Sequence, residues 1–233
     1  MIAIGLVIAL LVAVGGVVAA LTLGGGSKKT TPPAGNVACG GTTPSDAATV
    51  SRFNNKYSKP PAMSIDTKKK YLWTLDTSCG AIQIELDPGV APNTVNSIVF
   101  LTNQGLFNGS TFHRIVPGFV IQGGDPAGTG TGGPGYTVVD TPPANAQYPV
   151  GTVAMAKTSR DPSGTAGSQF FIVTAATAQQ ALAPGGTGQY AIAGKVVQGM
   201  DVVSKISAVP VANQTTGAPA QKIYIVKATV SPE

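Results

Sequence analysis

Histidine occurs once in this 233-residue chain, tryptophan once and cysteine only twice. One histidine with two cysteines forty residues apart, Cys39 and Cys79, does not make a usual metal-ligand set. A serine-type triad would have to use His113, and no Gly-x-Ser-x-Gly elbow accompanies it. The glycine-rich run Gly128 to Gly135 lacks the Gly-Lys-Ser/Thr of a phosphate loop and reads as a flexible surface loop. Nucleophilic, metal and nucleotide chemistry are thus each short of a part, and no cofactor is expected.

Charge is sparse, at 11% of residues, with a formal net charge of +5. The excess is local. Between Lys28 and Lys70 eight basic residues face two acidic ones, whereas from Tyr71 onward seven basic residues face eight acidic ones. Without a basic stripe on the folded part, nucleic acid is not an expected partner.

Met1 to Leu23 contains no charged side chain and is long enough to cross a bilayer as a helix. Residues 1–23 are therefore expected to be a transmembrane signal anchor and the chain's attachment to a membrane. Residues 24–70, rich in Gly, Pro and Lys, read as a flexible linker that cannot bury enough apolar surface to offset its ordering entropy. Lys28 and Lys29 just after the span argue for a cytoplasmic domain. Cys39 and Cys79 read either as one disulfide in an oxidising compartment or as two unpaired thiols. The disulfide reading favours an extracytoplasmic domain, and the domain is expected there.

Order is expected from Tyr71. Tyr71–Thr77 and Ala81–Leu86 form a hairpin pattern around Ser78-Cys79-Gly80, with Trp73 in the core. Pro92 to Gln104 has the apolar spacing of a helix, proline in its first turn and Gly105 as its stop. Strand patterns follow at 152–157, 169–174, 190–196 and 222–230, the last placed to pair with an early strand, and Met200 to Ile206 suggests a second helix. About eight short strands and two helices over residues 71–231 indicate a mainly β domain, a closed eight-stranded antiparallel β-barrel capped by two α-helices.

The densest chemistry lies in Phe112 to Asp125, FHRIVPGFVIQGGD: the sole histidine, one of three arginines, a Pro-Gly turn and a glutamine before two glycines. Strand alternation predicts Phe112 and Arg114 on one face, His113 and Ile115 on the other. His113 then reads as a structural residue.

This segment, together with GTGTGGPGY at 128–136, VAMA at 153–156, GSQFFI at 167–172 and AGKV at 193–196, resembles the cyclophilin family of peptidyl-prolyl isomerases. The resemblance spans about Tyr71 to Val230 and implies the same eight-stranded barrel with two helices. It implies that Arg114, Phe119 and Gln122 are catalytic. Val120, Ala156, Phe171, Leu182 and Tyr190 would line the proline site, with Gln169 supporting it. The partners implied are X-Pro segments of unfolded or extended polypeptides, bound by a monomer. Three positions depart from the family: Ala181 and Tyr190 stand where many members carry tryptophan and histidine, and Lys157 stands where asparagine is common. The missing tryptophan implies weakened cyclosporin-type binding. The altered rim also leaves open a proline-binding adaptor or chaperone with little turnover.

Overall fold

The computed structural model describes residues 37–182 and 189–233. Residues 1–23, read as a membrane anchor, lie outside the described residues. Among the latter no helix is long and apolar enough to cross a membrane.

Three short 3-10 turns, Ala38–Gly40, Ser45–Ala48 and Val50–Phe53, precede the first strand. The strands are β1 (Tyr71–Thr77), β2 (Gly80–Leu86), β3 (Arg114–Val116), β4 (Val120–Gly123), β5 (Val138–Val139) and β6 (Thr152–Met155). They continue with β7 (Thr165–Ala166), β8 (Phe170–Val173), β9 (Ile192–Gln198), β10 (Val211–Asn213), β11 (Ala218–Pro219) and β12 (Ile225–Pro232). The helices are α1 (Pro92–Asn103), α2 (Thr177–Leu182) and α3 (Met200–Ser207). The expected pair of helices is present as α1 and α3. α2 is additional; six residues are too few to carry a readable helical period.

Eight strands form one curled sheet in the order β12-β1-β2-β9-β6-β8-β4-β3, its named ladders all antiparallel. The expected pairing of the last strand with an early one is β12 on β1, with Trp73 opposite Val230. The β1–β2 turn is fixed locally: Thr77 Oγ1 donates to the Gly80 carbonyl at 2.6 Å and accepts from the Cys79 N–H at 3.1 Å. Trp73 is fully buried, its ring edge-on to Phe107 and Phe170 with centroids 5.0 Å away in each case.

The expected closed barrel is corrected in one respect: no ladder joins β3 to β12. Ile115, in the middle of β3, donates its N–H to the Gly217 carbonyl of the β10–β11 hairpin at 2.8 Å, so the hairpin occupies the edge that would close the barrel. The seam is spanned instead just before the two edge strands. Thr111 bridges Tyr224, and Phe112 N–H donates to the Ile223 carbonyl at 2.9 Å.

The expected spacer over residues 24–70 is also corrected for its described part. Ala38 is fully buried and Phe53 is 2% exposed, both within the main core. The expected Cys39–Cys79 disulfide is present and ties the segment to the β1–β2 turn, and Ala38 N–H donates to the Lys222 carbonyl at 2.9 Å. A single buried aromatic and a crosslink supply what the polar composition of the segment does not.

Candidate active site

Strand register brings the site together. Each of β3, β4, β6 and β8 sends alternate side chains to the two faces of the sheet. Ile115, Ile121, Val153, Met155, Phe170 and Ile172 join the main core. Their neighbours face the other way, and pairing places Arg114 opposite Gln122, Gln122 opposite Phe171, and Phe171 opposite Ala154. A cation, an amide and an aromatic ring thus stand in one row across four strands.

At one end of this row apolar side chains gather. Phe119, Val120, Tyr148, Phe171, Leu182 and Tyr190 form a second buried cluster, with Ala156 partly buried against it. The Phe171 and Tyr190 rings meet edge-on at 5.2 Å. Tyr148 holds the Tyr190 backbone at both groups: its hydroxyl donates to the Tyr190 carbonyl at 2.9 Å and accepts from the Tyr190 N–H at 3.0 Å. Burial pushes the Tyr148 phenol up to about 12, so this hydroxyl stays protonated and can do both.

At the other end is a groove of about 950 Å³ lined by Arg114, Gln122, Gln169 and the glycine-rich loop, among others. Arg114 Nη1 donates to Gln122 Oε1 at 3.2 Å, Gln122 Nε2 donates to Gln169 Oε1 at 2.9 Å, and Gln169 Nε2 donates to the carbonyls of Gly130 and Gly132 at 3.1 and 2.8 Å. Burial pulls the Arg114 guanidinium below its ordinary value and Tyr190 opposes that shift; arginine remains a cation throughout the working range. The ion pairs among the described residues are Lys70–Asp87, Lys195–Glu85 and Lys205–Asp201, none at Arg114.

The half-buried Arg114 guanidinium thus lines the groove and stands in one row of the sheet with Phe171 of the buried apolar cluster. Residues 72–230 match the family model described as cyclophilin type peptidyl-prolyl cis-trans isomerase/CLD. The chain belongs to the cyclophilin family.

Its relatives include peptidyl-prolyl cis-trans isomerase B of Bacillus subtilis, 42% identical over 127 residues that make up 54% of this chain and 82% of the relative. The isomerase B of Streptomyces anulatus is 38% identical over 171 residues, covering 65% and 91% respectively. Among solved structures, a Cryptosporidium parvum cyclophilin-type isomerase superposes with a TM-score of 0.61 at 28% identity, covering 70% of this chain and 99% of its own. The same parasite protein solved in the presence of the dipeptide Ala-Pro gives 0.60 at 29% identity, with the same coverages.

In the cyclophilin domain Arg114, Gln122, Ala156 and Gln169 of the sequence-predicted site line the groove, while Phe119, Val120, Phe171, Leu182 and Tyr190 lie in the buried apolar cluster. Lys157 lies at the groove with its ammonium over the Tyr190 ring, 5.4 Å from the centroid. Two local expectations fail. Phe112 does not share a face with Arg114: it is fully buried in the main core, while His113 lines the groove beside Arg114. β3 begins only at Arg114, so alternation does not reach back to 112–113. Burial lowers the His113 pKa, and the nearby Asp125 charge opposes it.

The second failure is the glycine-rich loop, which is held rather than free. Asp125, 1% exposed, accepts from the N–H groups of Ala127 at 2.7 Å, Thr129 at 2.9 Å, Gly130 at 2.6 Å and Gly132 at 3.2 Å. A Cβ on Gly132 would stand 2.1 Å from Asp125 Oδ1, so the wrapping requires glycine there. The available signal was Asp125 itself, a carboxylate followed at once by a run of side-chain-poor N–H donors.

Proposed function

We propose that this chain catalyses cis/trans isomerisation of X-Pro bonds in exported polypeptides, with Arg114 as the electrostatic catalyst. The observation that carries the reading is the row Arg114–Gln122–Phe171, a cation held by a neutral amide next to an aromatic ring. Rotation of the amide must overcome a barrier of about 18–20 kcal/mol because resonance is lost at the transition state. The proline nitrogen then regains its lone pair. A guanidinium can donate to that nitrogen when it forms, and so favours the twisted state over the planar one. Phe119 and Phe171 hold the pyrrolidine ring, with Val120, Leu182 and Tyr190 closing the slot around it. Gln122 and Gln169 set the guanidinium. No proton leaves any group and no bond to the enzyme is made.

The reading places residues 1–23 in the membrane as an anchor and the domain, as a monomer, on the extracytoplasmic side. The Cys39–Cys79 bridge supports an oxidising compartment. Exchange NMR or a protease-coupled assay on X-Pro peptides tests the activity. Wild type should accelerate exchange, and Arg114→Ala should lower kcat/KM by roughly 10²–10³-fold; equal rates for the two proteins would sink the reading. Protease protection of the domain in intact cells would overturn the location alone.

A further inference from the structure

Residues 53–57 precede the family match, which begins at residue 72, yet they are seated against the groove. Phe53 anchors them in the core at 2% exposure. Beyond it the backbone runs along the outer side of the glycine-rich loop. Asn55 N–H donates to the Gly133 carbonyl at 2.9 Å, Gly133 N–H donates to Asn54 Oδ1 at 3.1 Å, and Tyr57 N–H donates to the Pro134 carbonyl at 2.8 Å. The Tyr57 ring lies edge-on to Phe100 and Tyr136, with centroids 5.2 and 6.3 Å away. The approach is close enough to dictate sequence in the loop: a Cβ on Gly135 would stand 2.3 Å from the Tyr57 carbonyl oxygen.

The loop is therefore gripped on two sides. Gln169, within the relay that ends at Arg114, holds the carbonyls of Gly130 and Gly132. Asn54, Asn55 and Tyr57 hold Gly133 and Pro134 from outside. Asn55 also lines the groove itself. It is exposed and adopts φ 55°, a left-handed conformation open to asparagine and glycine. Its side-chain amide offers both donors and an acceptor, which suits the backbone of an extended peptide.

We propose that residues 53–57 are a built-in wall of the substrate groove. Asn54 and Tyr57 position the glycine-rich loop, and Asn55 is a specificity-determining contact for peptide residues flanking the X-Pro pair. This inference rests on the groove being that of a prolyl isomerase. Its test reads binding, so that it does not depend on turnover.

The full chain in detergent micelles is titrated, by NMR chemical shift, with an Ala-Pro-containing tetrapeptide and with the same peptide lengthened at its N-terminal or C-terminal end. Asn55→Gly keeps the backbone conformation and removes the amide. It should raise Kd about three- to tenfold for one of the two lengthened peptides and leave the tetrapeptide unchanged. Asn54→Ala, which removes the acceptor for Gly133 N–H, should weaken the same lengthened peptide and spare the tetrapeptide. Equal Kd values for wild type and Asn55→Gly on all three peptides would overturn the proposal. So would an equal loss on all three, which would mark a general effect on the fold. Binding that follows the expected pattern without accelerated exchange at the proline would retain the wall and reject the isomerase. No binding of any peptide to wild type would reject both.

Discussion

Gln122 donates to Gln169 across 2.9 Å, and this contact couples the residue that holds Arg114 to the residue that holds the glycine-rich loop. Replacing Gln169 by leucine keeps bulk and removes both functions. It leaves one N–H of the buried Gln122 unpaired, at a cost of about 1–3 kcal/mol, and gives up the hold on the Gly130 and Gly132 carbonyls, which groove water can take over. kcat/KM should fall roughly tenfold or more, and the melting temperature should drop by about 2–4 °C per kcal/mol lost. A coupled isomerase assay and a thermal melt on the same preparation check both.

The Cys39–Cys79 bridge spans a sequence separation of 40. In the chain-entropy picture a loop of that length is worth about 4 kcal/mol, and removing a native bridge from a small domain commonly costs about 2–5 kcal/mol. Reduction, or Cys39→Ser with Cys79→Ser, should lower the midpoint of urea unfolding accordingly. An unchanged midpoint under reducing conditions would show that packing of Ala38 and Phe53 alone holds the segment.

His113 gives the fold a defined response to acid. Burial lowers its folded-state pKa from the ordinary 6.5, so the unfolded chain takes up its proton first. Its contribution to stability is complete above about pH 6.5, declines as the pH falls below that value, and stops changing once the folded imidazole titrates. As the only histidine, it yields one imidazole resonance; its NMR midpoint should lie below 6.5. His113→Asn should flatten the dependence of melting temperature on pH in that window.

Tyr148→Phe should act on the slot and not on the cation. The variant removes the hydroxyl that both donates to and accepts from the Tyr190 backbone, with a cost of about 1–3 kcal/mol. KM for X-Pro peptides should rise several-fold more than kcat falls, because Tyr190 would border the proline in the proposed site while Arg114 keeps Gln122. A kcat loss matching that of Arg114→Ala would contradict this division of labour.

Much of the sheet was legible in the sequence because its pattern is local. Alternation of Phe170 and Ile172 against Phe171 and Val173, or of Ile121 against Val120 and Gln122, separates core from site without coordinates. What the sequence concealed depends on distant partners. The start of α1 is capped by Asp140, whose carboxylate accepts from Thr94 N–H at 2.6 Å from 46 residues away. The barrel edge is taken by Gly217, more than a hundred residues after Ile115. Glycine content suggested mobility at 128–135, where the deciding fact was a buried carboxylate at Asp125. Polar composition suggested a loose tether before residue 70, where the burial of Phe53 outweighs it.

The relay beginning at Arg114 has a direction. Every donor in it points away from the guanidinium: Arg114 to Gln122, Gln122 to Gln169, Gln169 to the two glycine carbonyls. Two amide dipoles are thereby stacked head to tail with their negative ends toward the cation. They steady the positive charge without cancelling it, as a carboxylate would, and leave its field free to act on the next electron pair that comes within reach.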